Sequence, residues 1–394
     1  MKQIRQQLLP FERMTSEPGH NFFGYYDLQP WSSDGRSHLC QRVGFMDRLP
    51  AATDPAELGL IRMSDYQFVP LATTYAWNFQ QGSMLQWHPR QPEEIIHNAV
   101  YNGAYRGVIR NIVTGESRLL PRPVANVATT GTHALSVNFS RMFDFRPGYG
   151  YAGIPDPTAT VPTPENDGIF LMDLASGQEK LIIPFPVIAE LFQKKFKIKN
   201  AKLLVNHITF NPAGDRFVFL VRNMPLPGAQ SDGWLTLAAT ADIAGQDIHV
   251  LANSFAASHY IWRDNEHLLI YADLQGPWKM DLCLVEDRAS RHALIQPEYF
   301  TFDGHCSYSS DKQFILYDSY PDADGYRLLL LYDIRQKKGM QLASLFSGKK
   351  VHQPNEDARC DLHPRWNREG TAISFDSTHE GRRHVYTMDL REIL

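Results

Sequence analysis

Cysteine is scarce: Cys40, Cys283, Cys306 and Cys360 are the only four in 394 residues. That is too few for a disulfide scaffold and suits a reducing compartment. A basic excess is also missing. Lys and Arg number 39 against 43 Asp and Glu, a formal net charge of −4, so no global field draws the chain to nucleic acid. A polyanionic substrate would have to be met by local arginines. No apolar run approaches the roughly 20 residues that span a bilayer, so no membrane partner is expected. The start, Met1-Lys-Gln-Ile-Arg-Gln-Gln-Leu-Leu-Pro, lacks the hydrophobic core of a signal peptide. The expectation is a cytoplasmic protein, or a periplasmic or secreted one if a leader has been removed. Three motifs are absent: a Gly-rich phosphate loop, a Gly-x-Ser-x-Gly elbow and a His-Glu-x-x-His pair. Their absence argues against nucleotide chemistry and against a standard serine hydrolase.

What the chain does have is a recurring phrase: His, two residues, an aromatic, then a polar turn. It reads His207-Ile-Thr-Phe210, His259-Tyr-Ile-Trp262, His305-Cys-Ser-Tyr308 and His363-Pro-Arg-Trp366. Two earlier copies keep the aromatic and lose the His, Leu28-Gln-Pro-Trp31 and Met84-Leu-Gln-Trp87, and a degraded one lies near Asn126. The four His-bearing copies are spaced by 52, 46 and 58 residues. A period of this size means a repeat architecture.

Each phrase leads into a β-rich run such as Phe217-Val-Phe-Leu-Val or Phe314-Ile-Leu-Tyr. Further strands follow at Gly168-Ile-Phe-Leu-Met-Asp173, Arg327-Leu-Leu-Leu-Leu-Tyr-Asp333 and His384-Val-Tyr-Thr-Met-Asp389. Short strands, Gly and Pro turns and a period near 50 residues predict an all-β fold, a seven-bladed β-propeller. The whole of 1–394 reads as a single domain, with blades starting near 28, 84, 126, 207, 259, 305 and 363. The last blade has room for about three strands before the chain ends. An N-terminal strand from near Ile4 to Arg13 is therefore expected to close it, removing an exposed edge. Residues 141–166, 184–203, 223–234 and 343–360 fall outside the blade pattern. Within the second of these, Val187-Ile-Ala-Glu-Leu-Phe-Gln-Lys-Lys-Phe has the spacing of a short amphipathic helix.

In a propeller the inner strands lie near a central channel, so equivalent positions on successive blades approach one another. His207, His259, His305 and His363 would converge there. A lone histidine on an inner strand is ordinarily just hydrogen-bonded to backbone. Four at one repeated position point instead to a divalent-metal site, imidazole being the commonest metal ligand. Cys306 follows His305 directly and Cys360 lies three residues before His363. A thiolate there favours zinc in a closed structural site, whereas all-nitrogen and oxygen ligation allows manganese. Zinc is the favoured expectation, with His259, His305, Cys306, Cys360 and His363 as candidate ligands.

A second constellation pairs His207 with Arg222, at the start of one inner strand and the end of the next. An antiparallel pair brings those ends to the same side of the sheet. His and Arg at one channel mouth suit acid/base work on a carboxylate-bearing substrate. A third is the loop Arg141…Arg146-Pro-Gly-Tyr149-Gly-Tyr151, whose arginines and tyrosines suit sugar binding but equally suit a loop that plugs a groove. Asn98 and Gln81 lie in runs expected to line a channel mouth and join the candidate substrate contacts. The run His20-Asn-Phe-Phe-Gly-Tyr25-Tyr26-Asp27 is similarly dense in aromatics.

Ser258-His259-Tyr-Ile-Trp262, Gly304-His305-Cys306-Ser307 and Leu362-His363-Pro364-Arg-Trp366, followed by Phe375-Asp-Ser377 and Glu380-Gly381, resemble the C-terminal blades of seven-bladed propeller polysaccharide lyases. These are the oligogalacturonate lyases and the propeller-type ulvan lyases. The resemblance is clearest over residues 205–390. It implies cleavage of a uronate-containing polysaccharide or oligosaccharide by β-elimination, with Arg or a metal neutralising the uronate carboxylate. It implies His259 and His363 as ligands with His305 or Cys306 as a third, Arg222 facing the uronate, and His207 as base or acid. The chain departs from the oligogalacturonate lyases in carrying Asp361 where they have a His, two residues before the last ligand.

Two other readings stay open on the sequence. One is a non-catalytic propeller that binds glycan or protein and keeps a structural metal. The other is a role in surface-polysaccharide biosynthesis. In either case a monomer is expected.

Overall fold

The computed structural model describes residues 3–198, 201–224, 234–251, 255–289, 291–348 and 357–394. Seven antiparallel sheets make up seven blades. Their first strands are His20–Phe22, Gln86–Trp87, Asn126–Val127, Lys202–Phe210, Ala257–Trp262, Cys306–Tyr308 and Arg365–Trp366. The repeated phrase therefore lies along or beside the first strand of each sheet. Gly168–Asp173, Tyr326–Asp333 and His384–Asp389 are third strands, each covered by one more.

The N-terminus closes the ring, and does so in two steps. Phe11–Arg13 supplies the fourth strand of the last blade, with Phe11 opposite Met388. Ile4–Gln7 goes one blade further back and adds a fifth strand beside Lys338–Phe346. The amphipathic stretch forms the helix Phe185–Phe196, which buries Phe185, Ile188 and Phe192. Three of the predicted insertions fall partly outside the described residues, at 199–200, 225–233 and 349–356. Among the described residues no helix is long and apolar enough to cross a membrane.

In two copies of the phrase the aromatic ties one blade to the one before. The Trp87 indole N–H donates to the Pro30 carbonyl at 2.8 Å, and that of Trp262 donates to the Thr209 carbonyl at 3.1 Å. A large apolar body with one polar edge fits this position, because the body fills the space between sheets while the edge satisfies a carbonyl.

Several histidines are buried in their neutral form. His38 sits between the first and last blades, its ring nitrogens engaging the Leu39 carbonyl and the Ser374 hydroxyl at 2.7 and 2.9 Å. Burial lowers its pKa from 6.5 to about 3, and lowers those of His97 and His384 to about 4. The unfolded chain protonates these rings near pH 6.5, while the folded chain does so only near 3 to 4. Their contribution is therefore complete above pH 6.5 and is lost as pH falls through the folded values, at roughly 1.4 kcal/mol per pH unit for each ring. Melting temperatures measured from pH 7 downwards should fall steadily from just below pH 6.5, and a flat profile to pH 5 would contradict this account.

Candidate functional site

The four histidines of the phrase do converge. Two of them stand at irregularities of their strands. The pairing of Lys202–Phe210 with its neighbour slips between Asn206 and Ile208, and that of Ala257–Trp262 slips between Ala257 and Tyr260. A β-bulge re-aims the side chain it carries, here His207 and His259. His207 and His363 also adopt left-handed backbone angles, φ 49° and 42°, an uncommon conformation for a residue with a Cβ. The ring centroids of His259 and His305 are 4.0 Å apart, those of His305 and His363 4.2 Å, and those of His207 and His259 6.3 Å.

What fixes these rings is a set of acceptors on their Nδ1 atoms. His259 Nδ1 donates to Asp303 Oδ1 at 3.0 Å, and Ser258 donates to the other carboxylate oxygen. His305 Nδ1 donates to Asp318 Oδ1 at 2.9 Å. Asp318 also accepts the backbone N–H groups of His305 and His363, at 2.8 and 3.0 Å. His363 Nδ1 donates to the carbonyl of Gly24 at 2.9 Å. A carbonyl can only accept, so the proton of His363 is on Nδ1 and its Nε2 carries a bare lone pair. The same logic applies to His305. Yet His305 Nε2 and His363 Nε2 face each other at 3.1 Å. Two lone pairs at that distance call for a cation between or beside them.

A carboxylate completes the group. Among the described residues, donor atoms of His305, Asp361 and His363 lie within 4.8 Å of one another, and all three residues are buried. Burial alone would raise the Asp361 carboxyl, but Arg327 and Arg359 outweigh it and hold the group well below the usual carboxylate range. Arg327 contacts it at 2.6 Å and Arg359 at 3.0 Å. Burial, reinforced for His363 by His305, keeps both imidazoles neutral, the form that ligates a metal. Two imidazole nitrogens, one carboxylate and second-layer acceptors on each imidazole fit a divalent cation.

The cysteines do not join this group. Cys306 packs with Tyr317 and Leu330 in an apolar cluster, and burial pushes its thiol far up. Cys360 places its sulfur 3.6 Å from the Asp361 carbonyl, and burial raises its pKa to about 12. Neither thiol is among the converging donors, so the preference for zinc loses its basis. The N and O donor set suits manganese as well as zinc.

The channel is crossed by residues 24–26. Gly24 has φ 145°, and a Cβ there would meet the Gln81 carbonyl at 3.0 Å, so glycine is what lets the crossing start. Arg365 holds the Gly24 and Tyr25 carbonyls and is itself paired with Asp376. The Tyr25 ring stacks on His207 at 5.2 Å and meets His363 edge-on at 4.9 Å. Tyr26 docks on the fifth blade, its hydroxyl donating to the Tyr260 carbonyl and accepting from the Tyr260 N–H.

Beside the histidines lies a basic, aromatic corner. Arg222 is buried, its Nη2 3.4 Å from the Ala257 carbonyl, and its Nε has no partner. Among the described residues it has no carboxylate partner. Burial and then Arg146 lower its pKa to about 10. Arg146 and Arg222 each place a guanidinium 5.0 Å from the centre of the Trp234 ring. His207 has its Nδ1 unpartnered, Tyr149 edge-on at 5.0 Å, and a pKa held well below 6.5 by burial and by Arg222. On the side of the arginines that hold Asp361, a cavity of about 660 Å³ is lined by Tyr320, Arg327, Arg359 and Arg382 among others, and not by His207 or Arg222.

The remaining sequence candidates divide. Arg146 and Tyr149 are at the corner. Arg146 also bridges to Asp357 at 3.2 Å, and a Cβ on Gly148 would collide with that same aspartate. Arg141 is elsewhere, 1 % exposed, with its guanidinium spent on Asp156 and the carbonyls of Leu203, Thr158, Val161 and Pro162. Tyr151 stacks on Phe139 at 4.3 Å, and its hydroxyl accepts from Asn98. Asn98 additionally caps Val124. Gln81 lies buried in a turn whose backbone is capped by Asn78. Arg141, Tyr151 and Asn98 brace the loop, while the Gln81 carbonyl lies against Gly24. Conversely, Asp303, Asp318, Asp361 and Tyr25 were not among the sequence candidates. The signals were positional: Asp361 stands two residues before a repeated His, and Tyr25 lies in the aromatic run expected at a channel mouth just before an inner strand.

No protein-family model matches the chain, and no curated protein matches it. Solved structures do. An oligogalacturonate lyase from Vibrio parahaemolyticus is 13% identical, with a TM-score of 0.67 over 98% of this chain and 95% of that one. An oligogalacturonate lyase in complex with manganese is 14% identical, with a TM-score of 0.67 over 99% and 98%. A prolyl endopeptidase is 11% identical, with a TM-score of 0.50 over 94% of this chain and 50% of its own. At these identities the likeness establishes the fold, and a fold shared with a peptidase does not by itself decide the chemistry.

Proposed function

We propose that this protein is a divalent-metal-dependent lyase that cleaves a uronate-containing oligosaccharide by β-elimination. The observation that carries the reading is the pair of Nε2 lone pairs 3.1 Å apart beside the Asp361 carboxylate. His305, His363 and Asp361 would hold the metal, with His259 next to them. Support comes from the fold shared end to end with oligogalacturonate lyases, one of them in complex with manganese. A bound divalent metal supplies positive charge that acidifies the proton next to a carboxylate.

The rest is done by the chain. Arg222 offers a substrate carboxylate the charge partner it lacks, and its fork favours bidentate pairing. His207 is neutral at pH 7 and has an Nδ1 without a partner among the described residues, so it can take the C5 proton of the uronate as the C4–C5 double bond forms and the C4–O bond breaks, and then return that proton to the leaving oxygen. Stacking on Tyr25 and the edge contact of Tyr149 fix its ring. Asp318, Asp303 and the Gly24 carbonyl keep the ligand imidazoles in one tautomer, so binding needs no proton rearrangement.

The test is to load the protein with manganese or zinc, add short oligogalacturonates and other uronate oligosaccharides, and follow the ultraviolet absorbance of an unsaturated product. His207→Asn is the informative variant, because asparagine tolerates the left-handed backbone there. It should fold normally and lose about 10²–10⁴-fold in rate. No unsaturated product from metal-loaded wild type across that panel would sink the reading.

A further inference from the structure

The channel has a second chamber. Residues 24–26 separate it from the histidines: Tyr25 reaches from His207 on the fourth blade to His363 on the seventh, and Tyr26 is bonded to the fifth-blade strand. On the far side lies a cavity of about 390 Å³. Six blades line it, and its walls include Trp87, Phe210 and Trp262, the aromatics of the repeated phrase. Polar side chains interleave with them, Asp27, Gln86, Asn126 and Thr209 among others.

One of them is a carboxylate without a charge partner among the described residues. Asp27 Oδ2 accepts from the Thr209 hydroxyl at 3.2 Å, while its Oδ1 is buried with no partner. The arginine that acts on it, Arg365, is already engaged with Asp376 and with the Gly24 and Tyr25 carbonyls. A carboxylate removed from water with neither a counter-charge nor a full set of donors is costly. Accordingly, burial raises its pKa to about 6. Two amides on the same wall are partly free. Gln86 uses only its amide nitrogen, on Met84, and Asn126 uses only its carbonyl, accepting from the Phe210 N–H.

We propose that this lower chamber is a second ligand site that holds a sugar-sized organic cation, such as a protonated amino sugar, with its ammonium on Asp27. The volume, the aromatic walls and the convergent polar groups are those of a small-molecule site. The aromatic walls suit both the ring of a sugar and a cation. The free amide groups of Gln86 and Asn126 suit hydroxyls. The volume is far larger than a bare metal ion needs. This site is independent of the metal centre, because the Tyr25 and Tyr26 crossing lies between them.

Calorimetric titration of glucosamine into the metal-loaded full chain tests the proposal, with glucose and N-acetylglucosamine as uncharged controls of similar size. Glucosamine should bind about ten- to a hundredfold more tightly than either control. Asp27→Asn should abolish that preference while metal content stays unchanged. Arg368, exposed at the rim of the same chamber, provides a second variant of opposite sign: Arg368→Gln removes a like charge and should tighten glucosamine binding at low salt without affecting glucose. Equal binding of the three sugars, no binding of glucosamine, or glucosamine binding unchanged in both variants would overturn the proposal.

Discussion

Protein carrying His363→Asn will purify with little or no divalent metal, while the native chain will carry it in stoichiometric amount. The reason lies in how the ring is held. Its Nδ1 proton is committed to the Gly24 carbonyl and its backbone N–H to Asp318. Only Nε2 is left, and that atom points at His305 Nε2. Removing it takes away one of three converging donors. Asparagine keeps the left-handed backbone at this position, so loss of metal is not confounded with backbone strain. Asp318→Asn probes the same centre indirectly. The carboxylate accepts from His305 twice and from His363 once, and an amide cannot satisfy all three donors. Metal affinity should weaken about 10–100-fold. Elemental analysis after dialysis, together with titration of manganese and zinc into chelated protein, measures both effects. Metal should also raise the melting temperature of the native chain, since a ligand at 100 times its Kd adds about 2.7 kcal/mol of stability, and it should do so much less in either variant. Equal metal content in the native and His363→Asn proteins would remove the basis for the centre.

The repeat made the fold readable. Copies of one phrase marked the first strands, and the shortage of sequence after His384 required an N-terminal strand to finish the last blade. Phe11–Arg13 does so. The placement of Ile4–Gln7 on the blade before it was not legible, because any short polar strand can pair with any open edge. Convergence of the four histidines was likewise readable, since a repeated position is a symmetric one. Which neighbours completed them was not. Cys306 is adjacent to His305 and Cys360 is three residues from His363, but neighbouring residues of a strand face opposite ways, and Cys306 packs into an apolar cluster. Asp361, two residues from His363, places its carboxylate among the same donors. Asp303 and Asp318 reach the rings from outside the phrase, and nothing in a single sequence marks a residue that acts by fixing another's tautomer. The loop 141–151 misled for a related reason. Arg and Tyr project into a site or brace a loop with the same composition, and only burial separates Arg141 and Tyr151 from Arg146 and Tyr149.

Arg222→Met should abolish most turnover of a uronate oligosaccharide and leave the fold as stable as before or more so. Both halves follow from one feature, a buried guanidinium without a carboxylate partner among the described residues. Burial and the nearby Arg146 bring its pKa down to about 10, so the charged form is held at a cost. Uncharged packing in place of a buried charge is neutral or stabilising by about 1–4 kcal/mol. Methionine has a similar reach and can pack on Trp234, which the guanidinium now covers at 5.0 Å. If the cost is retained because a substrate carboxylate offsets it, the variant loses that partner at the step where negative charge develops. Removing a preorganised charge partner of this kind lowers the rate by about 10²–10³-fold. Arg222→Lys should recover the charge but not the planar fork, and so should fall between the two. Thermal melts and kcat/KM, measured on the same preparations, separate the outcomes. A structural arginine would give a variant that is less stable and still active. A binding arginine gives one that melts no lower and turns over little substrate, because the charge that burdens the free protein is the charge the substrate needs.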